Sequence, residues 1–227
     1  MSDEAVYLVP IGSGRFDLYT EPSDEADSMA RGHPAFLGRV IDRLRDVWRQ
    51  MKYAASDPHR DRSRRLTRMG DWLVCKVAES IAEQRTLWSL RTLASASFIY
   101  PSDLSETSAA SIRSRVLMRA RRQHGWWLLL NIVGVILTAI LVLLPGPNLI
   151  GYYFLFRVVA HYLSWSAARH ALEGVSWRPT AERALTELGM LARLPRDARA
   201  ERVTAIANQL GLTRLEAFFD RVAVPSP

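Results

Sequence analysis

One stretch of the chain, residues 126–165, restricts the possible folds more than any other part of the sequence. Residues 126–144 carry no charge, and a helix over them would be roughly 28 Å long, close to the ~30 Å hydrocarbon layer of a bilayer. A Pro-Gly-Pro-Asn sequence at 145–148 then stops the helix, and a second apolar stretch covers 149–165. The pattern predicts a two-helix membrane hairpin. Buried core helices of a globular protein are the alternative.

Basic residues flank this hairpin on both sides, at 119–122 before it and at Arg169 and Arg178 after it. Because arginine and lysine are enriched in cytoplasmic loops, the flanks predict that both termini are cytoplasmic and that the turn lies on the far side. Residues 1–5 do not resemble the start of a signal peptide. The expected location is therefore a bacterial inner (cytoplasmic) membrane, crossed in a multi-pass manner. A shallow re-entrant hairpin is the alternative to full spanning.

The remaining sequence predicts two strands followed by helices. Residues 6–19 are rich in Val, Tyr and Phe around a Gly-Ser-Gly turn, which is typical of a β-hairpin. Apolar residues then recur at helical spacing, and further helices are predicted after Pro179. The predicted fold class is a mainly α membrane protein. Its regions are an N-terminal β-hairpin arm (1–30), a cytosolic helical region (31–122), the membrane helical hairpin (123–170) and a C-terminal helical hairpin in the cytosol (171–227).

Four polar residues of the predicted hairpin are candidates for function. Arg157 and His161 are four residues apart, so they share one helix face. A mid-membrane arginine costs about 2.5–3.5 kcal/mol on insertion scales, and it therefore needs a partner in protein or water. Asn131 and Thr138 line one stripe of the first helix, and folding at the turn predicts that Asn131 is level with His161. The four residues form either an ion or proton site or a polar clamp between the helices.

The turn and the helix after it resemble a known family. The resemblance rests on the turn, on an aromatic run at 153–156, and on the arginine and histidine that follow, with weaker similarity at 7–10 and 15–19. The turn residues are Pro145, Gly146, Pro147 and Asn148. These features resemble the mitochondrial potassium–proton exchange-related family. By resemblance, the chain would take part in potassium–proton exchange across an energy-coupling membrane, and the mitochondrial inner membrane is the alternative location.

The distribution of acidic residues indicates what part the chain takes in such exchange. No Asp or Glu lies between Thr107 and Leu172, whereas a cation–proton antiporter normally uses an intramembrane carboxylate to exchange a proton for a cation. We therefore expect a subunit or regulator rather than a complete transporter. The expected partners are the lipid bilayer and either further copies of this chain or other membrane subunits.

A membrane-tethered helix-turn-helix DNA-binding or scaffold protein is the rival interpretation. The net charge is +7, and Ala207, Gly211 and Leu212 have helix-turn-helix spacing. However, the last helix carries Glu216 and Asp220, so nucleic acid is not the expected partner. The sequence shows no nucleophile–base pair, metal-ligand cluster or phosphate loop. We therefore expect no enzyme activity, no cofactor and no bound metal.

Overall fold

The computed structural model of this protein describes residues 4–21, 87–139 and 149–223. The chain divides into a sheet unit, made of residues 1–23, 89–120 and 167–227, and a helix-pair unit, made of residues 24–88 and 121–166. The elements of the described parts are β1 (Glu4–Gly12), β2 (Arg15–Thr20), a 3-10 helix (Leu90–Thr92), β3 (Ser95–Pro101), α1 (Glu106–Ala139), α2 (Leu149–Glu173), β4 (Ser176–Glu182), α3 (Arg183–Leu191), α4 (Arg196–Leu210) and α5 (Leu215–Val222).

The hairpin at the start of the sheet unit lies where the sequence predicts it. Strands β1 and β2 pair antiparallel, with Tyr7 opposite Tyr19. The connecting turn places Gly12, Ser13 and Gly14 at φ values of 93°, 52° and 66°, and glycine adopts such values without a Cβ penalty. Successive residues of β1 are buried, so both faces of this strand are covered.

Two further strands complete a four-stranded sheet of order β2-β1-β3-β4, in which β3 is parallel to both β1 and β4. Strand β3 buries Ala96, Phe98 and Tyr100 at every second position, which is the period of a strand. Strand β4 is mostly exposed and contains Pro179, which an edge strand tolerates because it has a free side. A helix predicted directly after Pro179 is wrong at this point, since the residues up to Glu182 pair with β3.

The prediction of a mainly α transmembrane protein is wrong. The chain has a mixed α/β fold with a four-stranded sheet, and among the described residues no helix is long and apolar enough to cross a bilayer. Within the described part of α1, the apolar run extends only from Trp126 to Ala139, roughly 20 Å against the ~30 Å needed. In α2 the apolar run is interrupted by Arg157 and His161.

The last three helices form the core of the sheet unit together with the first strand. Tyr7, Val9 and Ile11 of β1 belong to one buried cluster with residues of α3, α4 and α5. Two residues of the helix-turn-helix spacing noted above, Ala207 and Leu212, are buried in this cluster. The C-terminal helices therefore bury apolar side chains of the sheet.

The other face of the sheet carries an aromatic pair that holds an arginine of α1. The Arg113 guanidinium lies 4.8 Å from the ring centroid of Phe98 and 4.6 Å from that of Trp177. Burial lowers the pKa of Arg113, and cation–π contacts offset part of its lost hydration. The Trp177 indole N–H donates to the Ala171 carbonyl. The ends of α1 and α2 that belong to the sheet unit are thus fixed to β3 and β4.

Candidate functional site

The two helices of the helix-pair unit pack closely because glycines of α1 accept aromatic rings of α2. A Cβ placed on Gly134 would lie 2.5 Å from Phe154 Cδ1, and one placed on Gly125 would lie 3.3 Å from Trp165 Cδ1. The later glycine contacts the earlier aromatic residue, so the segments run antiparallel. Asn131 and Thr138 are buried on the same stripe as Gly134, with exposed fractions of 5% and 7%.

Two histidines meet at this helix–helix contact. His161 of α2 is 3% exposed, and its Nδ1 lies 3.0 Å from Nδ1 of His124 on α1. The Trp127 ring lies nearly parallel to the His161 ring, at 17° with 6.3 Å between centroids. A contact of 3.0 Å between two ring nitrogens requires one to donate its N–H and the other to accept. The pair can therefore hold one shared proton between the facing nitrogens, but not two.

The environment of the pair favours neutral rings. Burial, followed by the positive charge of Arg157, lowers the pKa of His124 to about 4. Burial, then Arg157, then His124 lower the pKa of His161 to about 3. Between Thr107 and Leu172 neither helix of the pair carries an acidic residue, so neither supplies a negative charge that would favour the charged forms. Both rings are therefore uncharged at neutral pH, and His161 does not titrate there as its ordinary pKa would suggest.

The outer nitrogen of His161 is the unusual atom of this site. Its Nε2 is buried, and no hydrogen-bond partner for it is found within the described parts of the chain. An unpartnered buried polar atom costs about 1–3 kcal/mol. This cost, with the depressed pKa values, makes the pair a locally unfavourable arrangement that the surrounding packing maintains.

The predicted site residues take the following places. Arg157 lies close enough for its charge to act on both histidines. Asn131 Nδ2 donates to the Trp127 carbonyl at 2.6 Å, and Thr138 Oγ1 donates to the Gly134 carbonyl at 2.8 Å. These bonds remain within α1. The predicted turn residues, Pro145, Gly146, Pro147 and Asn148, lie outside the described residues.

His124 is not among the residues that the sequence pattern singles out, and the reason is the register of the helix pair. The predicted register has Asn131 level with His161, whereas the structure places Trp127 against that ring. The difference is about one helical turn, or roughly 5.4 Å along the axis. The signal that points to His124 is the pair of α1 glycines, Gly125 and Gly134, because they leave room for large rings of α2. Matching them with Trp165 and Phe154 gives the register in which His124 meets His161.

Together, the fold and the site define a mixed α/β protein whose helix pair buries a neutral histidine pair beside an arginine. A sequence model of the mitochondrial K+-H+ exchange-related family matches residues 5–174, and the chain belongs to this family. The match confirms the resemblance found in the sequence. No curated protein and no solved structure matches the chain.

The family match extends from β1 to the end of α2 and includes both histidines, and α3, α4 and α5 lie beyond it. Membership links the chain in general terms to potassium–proton exchange. The family name carries a mitochondrial association, which is the alternative location given above. A multi-pass location in a bacterial inner membrane is not supported, since no helix in the described parts is able to span one.

Proposed function

We propose that this chain is a subunit or regulator of potassium–proton exchange, associated with mitochondria, rather than a complete exchanger or an enzyme. The family link supports the process. The regulatory part is supported by the absence of Asp and Glu between Thr107 and Leu172, because a cation binding site of an exchanger normally needs a carboxylate. The partners we propose are further copies of this chain or the subunits that carry the ions, and nucleic acid is not among them.

The observation that carries the proposal is the contact between His124 and His161. In the closed arrangement one Nδ1–H donates to the other Nδ1 across 3.0 Å. When both rings are protonated, each Nδ1 carries an N–H, so two N–H groups face each other and the hydrogen bond between the rings is lost. The added positive charge also lies near Arg157, whose charge already lowers the pKa of both rings.

Acid is therefore expected to separate the two helices at this point. Once the rings reach water, their pKa values return to about 6.5, so protonation stabilises the separated arrangement relative to the closed one. A fall in pH in this way changes the packing of α1 against α2, and a partner subunit that contacts these helices is able to respond to the change. Cytosolic or matrix acidification would then alter the rate of potassium–proton exchange.

The test compares membrane vesicles from source cells that make the chain, that lack it, and that regain it from a plasmid. Potassium-driven proton flux is followed with a pH-sensitive dye. We expect altered flux without the chain and restored flux after complementation, whereas the purified chain added alone to liposomes yields no exchange. Unchanged flux in cells that lack the chain would contradict any role in exchange. Exchange by the purified chain alone would show a complete exchanger.

A further inference from the structure

The second half of α1 has an apolar face that its partner helix does not cover. The stripe that packs against α2 contains Asn131, Gly134 and Thr138, which are buried. At about 100° per residue, the opposite side of the helix forms a continuous arc roughly 120° wide. We call this arc the outer face, and its residues with their exposed fractions are Trp126 (61%), Leu129 (54%), Leu130 (43%), Val133 (47%), Ile136 (63%) and Leu137 (63%).

The outer face is large enough for a specific protein interface. Its exposed apolar area is on the order of 600 Å², at the upper limit for the largest patch of a typical monomer. Each partner of a stable complex contributes about 800 Å², and the neighbouring side chain of Ile132, which is 39% exposed, extends the surface towards that value. A helix that is apolar on all sides also normally has partners on all sides.

The charge pattern identifies which partner fits. Residues 126–137 include no charged side chain, so two copies of the outer face do not oppose like charges. Arg121 and Arg122 lie directly before the face. In a parallel pair of helices these arginines would be about 10 Å apart, near one Debye length, and would repel. In an antiparallel pair they lie at opposite ends, more than about 20 Å apart.

We infer that the outer face binds a second copy of this chain, in an antiparallel helix pair about a two-fold axis near Val133. Such an interface is self-complementary: if one residue of the first copy contacts a second residue of the other copy, the same two residues also meet with the copies exchanged. In this arrangement Val133 faces Val133 of the second copy, whereas Leu129 faces Leu137. The inference does not depend on the proposed role in potassium–proton exchange.

Cysteine cross-linking of the full chain tests both the partner and its direction, in a background that carries Cys75→Ser. Mild oxidation is expected to link Val133→Cys with itself, and to link Leu129→Cys with Leu137→Cys in a mixture of the two variants. Self-linking of Leu129→Cys and of Leu137→Cys, without the mixed product, would show a parallel pair and would overturn the arrangement. Absence of any cross-link at Val133→Cys would overturn the interface.

Sedimentation of the full chain supplies the second measurement. The native chain is expected to be a dimer, and Val133→Glu should weaken the dimer by about 100-fold or more, because two buried like charges then oppose each other. Met190→Glu, at a 57% exposed position of α3, is the matched control and should leave the dimer intact. A native chain that sediments as a monomer or as undefined aggregates would overturn the inference. So would a monomer that floats with phosphatidylcholine–phosphatidylglycerol vesicles, because lipid would then cover the outer face.

Discussion

Acidification should destabilise the helix-pair unit through its two histidines. Burial and Arg157 lower the pKa of His124 to about 4 and, with the second ring, that of His161 to about 3, whereas an ordinary histidine has a pKa near 6.5. Between about pH 4 and about pH 6.5, these two histidines bind more protons in the unfolded chain than in the folded chain. The free energy of unfolding therefore falls as the pH decreases from about 6.5 towards 4, and it is independent of these groups above neutrality.

The size of the effect follows from the pKa differences. Each pKa unit corresponds to about 1.4 kcal/mol. A single ring whose folded pKa lies below 4.5 therefore lowers the free energy of unfolding by on the order of 3 kcal/mol between pH 6.5 and 4.5. Two independent rings would lose about twice that amount. Because the two rings share one hydrogen bond, their titrations are coupled, and we take the smaller value. It is a large fraction of a typical folding free energy of about 5–15 kcal/mol.

Urea denaturation followed by circular dichroism at about pH 7 and about pH 4.5 measures this difference. The native chain should lose roughly 2–3 kcal/mol more than the double variant His124→Gln/His161→Gln over this interval, since neither buried histidine remains in the variant and carboxyl groups common to both proteins cancel in the comparison. The control is His170→Gln, which removes a histidine of the sheet unit whose Nε2 contacts the Leu93 carbonyl at 2.9 Å. Equal pH dependence in the native chain and the double variant would refute the reasoning.

Three further predictions concern packing and capping. Glu21→Gln should cost about 1–2 kcal/mol of stability, because the Glu21 carboxylate accepts from the Thr213 N–H at 3.1 Å and from its hydroxyl just before α5. Gly134→Ala should cost about 1–3 kcal/mol, although alanine favours helix, because its Cβ would lie 2.5 Å from Phe154 Cδ1. Arg199→Ala should cost about 3 kcal/mol, because this arginine is 2% exposed within the core of the sheet unit. Thermal and urea unfolding measure all three.

Matched variants distinguish these effects from general damage. Glu201→Gln removes an exposed carboxylate of α4 and should change stability by less than about 0.5 kcal/mol. Phe154→Leu should partly restore Gly134→Ala, because a smaller side chain leaves room for the new methyl group. Arg199→Met should cost less than Arg199→Ala, since it fills the same volume against Phe219. If Gly134→Ala proves stabilising, the close packing of the helix pair is incorrect.

The parts of the fold that depend on local sequence are those that sequence reasoning predicts. The hairpin of β1 and β2 follows from strand-forming residues around a glycine turn, and both signals lie within twenty residues. Strand β4 could not be found in this way. It contains Pro179, is mostly exposed and exists through its pairing with β3, which lies about eighty residues earlier in the chain. Such a pairing leaves no local pattern in either segment.

The site was predicted in part. Arg157 and His161 stood out because polar residues are rare in an apolar stretch. His124 lies among basic and polar residues just before that stretch, so only the packing of Gly125 and Gly134 against aromatic rings shows that it meets His161. The apolar stretches themselves do not distinguish a bilayer from a protein environment, because both favour the same residues. The prediction of a transmembrane protein failed for this reason.

The central claim is that the pair of His124 and His161 makes potassium–proton exchange respond to acid. The most direct measurement is the pH dependence of potassium-driven proton flux in vesicles from cells that carry the native chain, His161→Gln or His170→Gln, with chain abundance matched by immunoblot. The account predicts that His161→Gln removes or flattens the response between about pH 7 and pH 5, while His170→Gln retains it. An unchanged pH response in His161→Gln at equal abundance would contradict the claim.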